Sequence, residues 1–144
     1  MFKNILVPIH LEYIKNHKKL LKGAFEVLDD DGKITLLYVN QNRLHGSVYP
    51  ILGDENQINY DQFALDKLKE IAQEHSLPID KVSFMIKDGS AHQEILETGK
   101  KINSDAIVMM ATKPGLGSYF ISSTAERVIR HAGCSVFVIR LDDK

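Results

Sequence analysis

Short continuous apolar runs alternate along the chain with longer stretches of helical spacing. Five runs have the length and composition of strands buried on both faces, at residues 5–9, 34–39, 82–86, 106–110 and 136–139. Between them, apolar residues recur every three or four positions, which predicts helices near residues 16–28, 63–75, 90–102 and 123–132. Because right-handed crossovers place helices on both faces of a parallel sheet, this alternation predicts a three-layer α/β fold.

Two connections between these elements have patterns of their own. Residues 29–32 read Asp-Asp-Asp-Gly, which predicts a turn before the second strand. Residues 40–59 are less regular and are punctuated by Gly46, Pro50 and Gly53, so we expect a long excursion loop there.

Two helix starts fit the capping-box pattern, in which two side chains three residues apart satisfy free backbone amides. The pairs are Ser90 with Gln93 and Ser123 with Glu126. These pairs predict where the third and fourth helices begin.

The composition is that of one globular domain spanning residues 1–144, with 44% hydrophobic and 26% charged residues. A net charge of −1, with cations and anions interleaved, argues against a nucleic-acid surface. The apolar run near the N-terminus is broken by Pro8 and is too short for a signal-peptide core or a membrane span. Cys134 is the single cysteine, which excludes an intramolecular disulfide and fits a reducing compartment. We therefore expect a cytoplasmic protein in which Cys134 is a small buried residue.

The predicted architecture indicates where a ligand would bind. In open α/β sheets, ligands bind beyond the carboxyl ends of the strands, where the strand order reverses. Two segments therefore become candidates: the one after Ile9 and the one after Met110.

The segment after the fourth strand has the chemistry of a phosphate cradle. It contains hydroxyl side chains at both ends, one lysine and two glycines that allow the backbone to turn sharply. These residues are Thr112, Lys113, Gly115, Gly117, Ser122, Ser123 and Thr124. The amides and the dipole of a helix N-terminus attract phosphate, although serine and threonine at that place also serve as ordinary caps. No Gly-Lys-Ser/Thr triplet occurs, so this is not a Walker A loop.

Two blocks of sequence resemble the C-terminal signature of the universal stress protein family (UspA-like). One starts at Asp105 (Asp-Ala-Ile-Val-Met-Met-Ala-Thr-Lys-Pro) and the other runs from Ser122 to Arg140 (Ser-Ser-Thr-Ala-Glu-Arg-Val-Ile-Arg-His-Ala-Gly-Cys-Ser-Val-Phe-Val-Ile-Arg). Residues 5–9 resemble the family's first strand, and the short loop with Pro114 is most similar to the F- and G-type branch. This resemblance implies a five-stranded parallel sheet of the adenine nucleotide alpha hydrolase type, with strand order 3-2-1-4-5.

The resemblance also implies a nucleotide site, with departures from the family's pattern. In nucleotide-binding members, Gly-x2-Gly-x9-Gly-Ser/Thr follows the fourth strand, and an Asp follows the first. Here Met110, Lys113 and Ser122 stand at the three glycines, and the loop is one residue shorter. His10 takes the place of the Asp, and Val39 matches a backbone contact to adenine. The residues implied for the site are Pro8, Ile9, His10, Val39, Met110, Ala111, Thr112, Lys113, Ser122, Ser123 and Thr124.

These departures leave two functions open. One is a non-catalytic stress-response protein that binds ATP, ADP or AMP as a regulatory ligand. The other is a dimeric interaction module that has lost the nucleotide, because a Cβ at Met110 or Ser122 obstructs the approach of backbone amides to phosphate. A third, an ATP-hydrolysing or phosphate-transferring enzyme, requires a general base that the sequence does not identify. The Ser-Gly-Gly-x-Asp-Ser and His-x-Gly-His signatures of adenylyl transfer are missing, so we expect no catalytic residues and no required cofactor.

The six histidines show no metal-binding spacing, and we expect most of them on helix surfaces, with His10 as the exception in the cleft.

Resemblance to the family implies a homodimer through the last strand, formed by Val136, Phe137, Val138 and Ile139. The alternative is an internal strand that is covered by the charged tail of residues 141–144.

Overall fold

The computed structural model describes residues 1–11, 17–41, 54–111 and 122–140. The strands and helices, in chain order, are β1 (Phe2–Pro8), α1 (His17–Val27), β2 (Leu28–Asn40), α2 (Asp54–Glu74), β3 (Val82–Asp88), α3 (Ala91–Lys101), β4 (Ala106–Met110), α4 (Ser123–His131) and β5 (Ser135–Ile139). A 3-10 turn, Ile79–Lys81, precedes β3.

All five strands are parallel and form one sheet in the order β3-β2-β1-β4-β5. This confirms the predicted fold class and strand order. The chain proceeds from β1 outward through β2 and β3, then returns to the other side of β1 for β4 and β5. The strand order therefore reverses between β1 and β4, which is the place where such sheets bind ligands.

The core consists of two apolar layers, one on each face of the sheet. Ile5 and Val7 of β1 point into the layer covered by α1 and α2, together with Leu20 and Leu68. Leu6 points into the opposite layer with residues of α3 and α4. Alternate side chains of a strand face opposite sides of the sheet, so a strand covered on both faces requires an unbroken apolar run.

The predicted turn at residues 29–32 is wrong, because those residues belong to β2. Phe2 pairs with Leu28 and Asn4 pairs with Lys33, so the Asp-Asp-Asp-Gly segment bulges opposite Lys3. The amine of Met1 forms an ion pair with the carboxylate of Asp29 in this bulge. Residues that normally mark a turn here mark an irregularity within a strand.

The predicted excursion loop is also wrong in part, because α2 already begins at Asp54. The first six residues of α2 include one apolar residue, Ile58, so no amphipathic period was visible there. The remainder of the excursion after Gln41, residues 42–53, lies outside the described residues. At its other end, α2 stops where Ser76 adopts a left-handed conformation (φ 54°) and the Leu77 N–H donates to the Ala72 carbonyl.

None of the described helices combines the length and the apolar character that a bilayer span requires.

Candidate functional site

A cleft of about 100 Å³ opens at the carboxyl edge of the sheet, at the reversal of strand order. Its walls come from the ends of β1, β2 and β4 and from the first turns of α3 and α4. The lining residues are Pro8, Ile9, His10, Leu37, Tyr38, Val39, Gln41, Ala91, Ile95, Met109, Met110 and Thr124.

The end of β1 reaches the cleft through a proline. Pro8 lacks an N–H group, and Ile9 continues the pairing with β2 by donating its N–H to the Leu37 carbonyl at 2.8 Å. Ile9 is buried, while His10 is half-buried. The chain therefore leaves the sheet at His10, on the wall of the cleft.

The start of α4 is attached to the end of β4 by a backbone hydrogen bond. The Ala111 N–H donates to the Ile139 carbonyl at 2.8 Å, and the Ser122 N–H donates to the Ala111 carbonyl at 2.6 Å. The first bond joins the end of β4 to β5, and the second joins the end of β4 to the start of α4. Thr124 then lies on the cleft wall.

The cap of α4 differs from the predicted capping box of Ser123 with Glu126. The Ser122 hydroxyl accepts a hydrogen bond from the Ala125 N–H at 3.1 Å, so Ser122 is the N-cap. Ser123 is exposed, and the Glu126 carboxylate pairs with Arg130 at 3.0 Å. The hydroxyl of Ser122 is thus occupied within the protein.

The predicted capping box of Ser90 with Gln93 is wrong as well. Ser90 precedes α3, yet its side chain makes no capping hydrogen bond. Its hydroxyl instead lies 3.0 Å from Nδ1 of His92. A neighbouring imidazole has replaced the backbone amide as the partner of this serine.

The structure brings most of the implied site residues to one place. Six of them line the cleft: Pro8, Ile9, His10, Val39, Met110 and Thr124. Ala111 is buried behind the wall, and Ser122 and Ser123 lie beside it at the start of α4. Thr112 and Lys113 lie outside the described residues.

Sequence reasoning missed the part of the cleft that α3 provides. Ala91 and Ile95 are four residues apart and lie on one face of the helix, next to the lining residue Met109. Tyr38 was also missed, and its hydroxyl lies 3.0 Å from that of Tyr60 on α2. The helical period of α3 was visible in the sequence, but not which turn of the helix borders the cleft.

The described lining contains no Asp, Glu, Lys or Arg side chain. Aliphatic and methionine side chains form most of it, and His10, Gln41 and Thr124 add polar groups. Such a surface suits a flat, largely apolar ring with a hydrogen-bonding edge. An anionic group attached to the ring would be favoured at the start of α4, where helical geometry leaves the first amides without intrahelical partners.

His17 is buried next to this wall and is an exception to the expectation that most of the histidines lie on helix surfaces. Its side chain is 1% exposed, and its Nε2 lies 2.9 Å from the His10 carbonyl oxygen. Burial lowers the pKa of the imidazole below its usual value, and the nearby His75 lowers it further. The hydrogen bond to His10 and the charge of Glu74 oppose this shift, and burial is the largest of the four effects.

No three His, Cys, Asp or Glu side chains within residues 1–11, 17–41, 54–111 and 122–140 are grouped so as to hold a metal ion.

Comparisons with known proteins agree with this architecture. A family model described as the Universal stress protein family matches residues 1–140. Universal stress protein G of Escherichia coli O157:H7 is 24% identical over 144 residues, covering 97% of this chain and 100% of that protein. The solved structure of hypothetical protein MJ0577 is similar with a TM-score of 0.77 and 28% identity, covering 100% of this chain and 99% of the other. A universal stress protein family protein from Arabidopsis thaliana with AMP bound shares the fold, with a TM-score of 0.62, 20% identity and coverage of 98% and 93%.

Proposed function

The chain belongs to the universal stress protein family, and from that premise we propose that it is a non-catalytic stress-response protein that binds an adenine nucleotide in the cleft. The observation that carries the proposal is the convergence of Val39, Met110 and Thr124 on one cleft at the reversal of strand order. A related fold holds AMP in the Arabidopsis protein, which supports the choice of ligand class.

The proposed arrangement places the base and the phosphates at different parts of the site. The adenine ring lies among the apolar side chains at the ends of β1 and β2, near Ile9 and Val39. The phosphates lie toward the start of α4, where the Ser123 and Thr124 amides and the Thr124 hydroxyl are the donors. The Ser122 hydroxyl does not contribute, since it already caps the helix.

The alternative is an interaction module of the same family without a nucleotide. Met110 favours this alternative, because it is 4% exposed and fills space at the position of the family's first glycine. Under this alternative the cleft is the outer rim of the core and takes no ligand.

Calorimetric titration of the purified protein with ATP, ADP and AMP distinguishes the two functions. We expect saturable binding of at least one nucleotide at concentrations up to the millimolar range. Absence of binding by the folded protein would overturn the nucleotide proposal and favour the interaction module. A mass spectrum of small molecules released by heating the purified protein gives an independent answer, because copurified nucleotide contradicts the module.

A pair of variants locates the ligand. Thr124→Val removes a hydroxyl from the cleft wall with little change of shape, and should weaken binding about fivefold, the equivalent of about 1 kcal/mol. Ser83→Ala is the control, because this exposed hydroxyl belongs to the first part of β3, away from the carboxyl edge. Equal affinity of the two variants would place the ligand elsewhere.

We also propose that the protein is a cytoplasmic homodimer assembled through β5. Among the described residues, β5 pairs only with β4 and forms the edge of the five-stranded sheet, which supports the dimer over the alternative of an internal strand. An edge strand presents unpaired backbone groups that a second copy can cover. Light scattering of the purified protein should give twice the mass of the chain, whereas the mass of one chain would contradict the dimer.

A further inference from the structure

We propose that His17 is a positioning residue for the nucleotide cleft, because its imidazole holds the backbone carbonyl of His10 in the place that the cleft wall requires. The inference rests on the nucleotide function proposed above. It assigns a role to a buried polar side chain that belongs to no part of the cleft lining.

The geometry specifies how the two residues interact. A carbonyl oxygen only accepts hydrogen bonds, so the contact of 2.9 Å requires Nε2 of His17 to donate its proton to the His10 oxygen. His17 is the first residue of α1, and His10 lies on the cleft wall directly after the Ile9–Leu37 hydrogen bond. Ile9 is thus held by β2 through its N–H, and His10 is held by α1 through its carbonyl oxygen.

Packing alone does not explain a histidine at this position. The surrounding core is apolar, with Leu20, Leu21 and Ala24 from the same helix buried beside the sheet. Burying an imidazole is unfavourable unless it is hydrogen-bonded, and an aliphatic side chain would fill the space without that cost. What His17 adds is the hydrogen bond that fixes the carbonyl of a cleft residue.

The same arrangement makes the cleft sensitive to acid. Glu74, the last residue of α2, and His75, directly after it, are the groups whose charges act on the His17 ring. Their effects oppose each other, and burial determines that the neutral ring is favoured in the folded protein. Protonation of His17 therefore favours conformations in which the ring leaves its buried place and releases the His10 carbonyl.

Two substitutions separate the hydrogen bond from the titration. His17→Gln keeps an N–H donor that can reach the His10 carbonyl but cannot titrate, whereas His17→Leu removes the donor. Calorimetry with ATP at about pH 7.5 should show affinity near wild type for His17→Gln and about fivefold weaker binding for His17→Leu. Between about pH 7 and pH 5.5 the wild type should lose affinity more steeply than His17→Gln. Ionisation of the nucleotide phosphates is common to all variants and cancels in the comparison.

His131→Gln is the matched control, since His131 is an exposed histidine at the end of α4 and is not among the groups whose charges act on the His17 ring. It should keep the pH profile of the wild type. Equal affinity of folded His17→Leu and wild type at about pH 7.5, or an acid loss in His17→Gln equal to that of the wild type, would overturn the proposal. If His17→Leu does not fold, the proposal is still tested by comparing the loss of affinity with falling pH in His17→Gln and in the wild type.

A readout without nucleotide distinguishes failure of this inference from failure of the nucleotide function. The Ile9 N–H, which donates to Leu37, reports how firmly the end of β1 is held. Hydrogen exchange of this amide in the free protein should be about fivefold faster in His17→Leu than in His17→Gln. Equal exchange rates would show that His17 does not position this segment, whether or not the protein binds nucleotide.

Discussion

Ser122 and Ala111 are joined by a backbone hydrogen bond of 2.6 Å, through which the start of α4 is attached to the end of β4. Ser122 also caps α4 with its side chain, and its backbone is extended, with φ −61° and ψ 154°. A residue of any type adopts this conformation. The serine at the family's glycine position is therefore unstrained, and it links the sheet to the helix that we propose binds phosphate.

Replacement of Ser122 by alanine should reduce the free energy of unfolding by about 1 kcal/mol, because the Ala125 N–H loses its capping partner. Ser123→Ala is the control, since Ser123 is exposed and does not cap the helix. Its free energy of unfolding should remain within about 0.5 kcal/mol of wild type. Urea denaturation measures both values, and equal losses for the two variants would contradict the assignment of the cap.

The bulge at the start of β2 depends on Gly32. A Cβ at this position would lie 2.4 Å from Cδ1 of Leu28 and 3.0 Å from the Asp29 carbonyl oxygen. Gly32→Ala should therefore lower the free energy of unfolding by about 1–3 kcal/mol. Gly133→Ala is the matched control, because a Cβ there would meet no atom within 4 Å. A thermal melt of both proteins tests the difference, and equal midpoints would contradict the geometry of the bulge.

A strand or helix could be predicted from the sequence where its apolar pattern matches the way it packs in the fold. β4, Ala106–Met110, was predicted to the residue, because a strand buried on both faces needs an unbroken apolar run. The start of β2 was missed because its aspartates and Gly32 are typical turn residues, and only pairing with β1 makes them part of a strand. The early start of α2 was missed because its first turns carry almost no apolar residue.

The residues of the candidate site could be predicted where they lie at strand ends. They could not be predicted where their position depends on contacts between residues distant in sequence. The ends of β1 and β4 followed from the apolar runs, so His10 and Met110 were placed correctly at the carboxyl edge. The contribution of Ala91 depends on how α3 packs over the sheet, which no local pattern encodes. The burial of His17 depends on a hydrogen bond to the backbone carbonyl of His10, and a backbone acceptor cannot be recognised from residue types.

Asp105 joins the start of β4 to the start of β1. Its two carboxylate oxygens accept the N–H groups of Lys3 and Asn4 at 2.8 and 3.0 Å. Asp105→Ala should lower the free energy of unfolding by about 1.5–3 kcal/mol, because both amides lose a charged acceptor. Asp105→Asn retains one carbonyl oxygen and should fall between wild type and Asp105→Ala. Urea denaturation gives this order, and an Asn variant less stable than the Ala variant would contradict it.

His17 should also make the stability of the free protein depend on pH. The pKa of His17 is lowered in the folded protein, so below about pH 6.5 the unfolded chain binds a proton that the folded protein does not. The contribution of His17 is therefore fully present above about pH 6.5 and decreases as the pH falls toward the lowered value. Urea denaturation between about pH 7.5 and pH 5.5 should show a smaller decrease for His17→Gln than for wild type. A decrease of the same size in both proteins would contradict the burial of a neutral ring.

The edge of β5 permits a test of the proposed dimer that spares the fold of the single chain. The Ile139 carbonyl accepts the Ala111 N–H, so the backbone groups of Ile139 point toward β4. Because the backbone groups of successive residues alternate in direction along a strand, those of Val138 point away from β4. Proline at an edge position facing away from the sheet removes no hydrogen bond within the chain.

Val138→Pro should therefore halve the mass measured by light scattering. The free energy of unfolding of the single chain should change little. Val138→Thr is the control, because it keeps both the N–H group and the β-branched shape that suits a strand. This variant should remain a dimer. If Val138→Pro stays folded and dimeric, β5 pairing is not the contact between the two copies. A proline at this position has no N–H group to donate, and its ring obstructs the approach of a second strand.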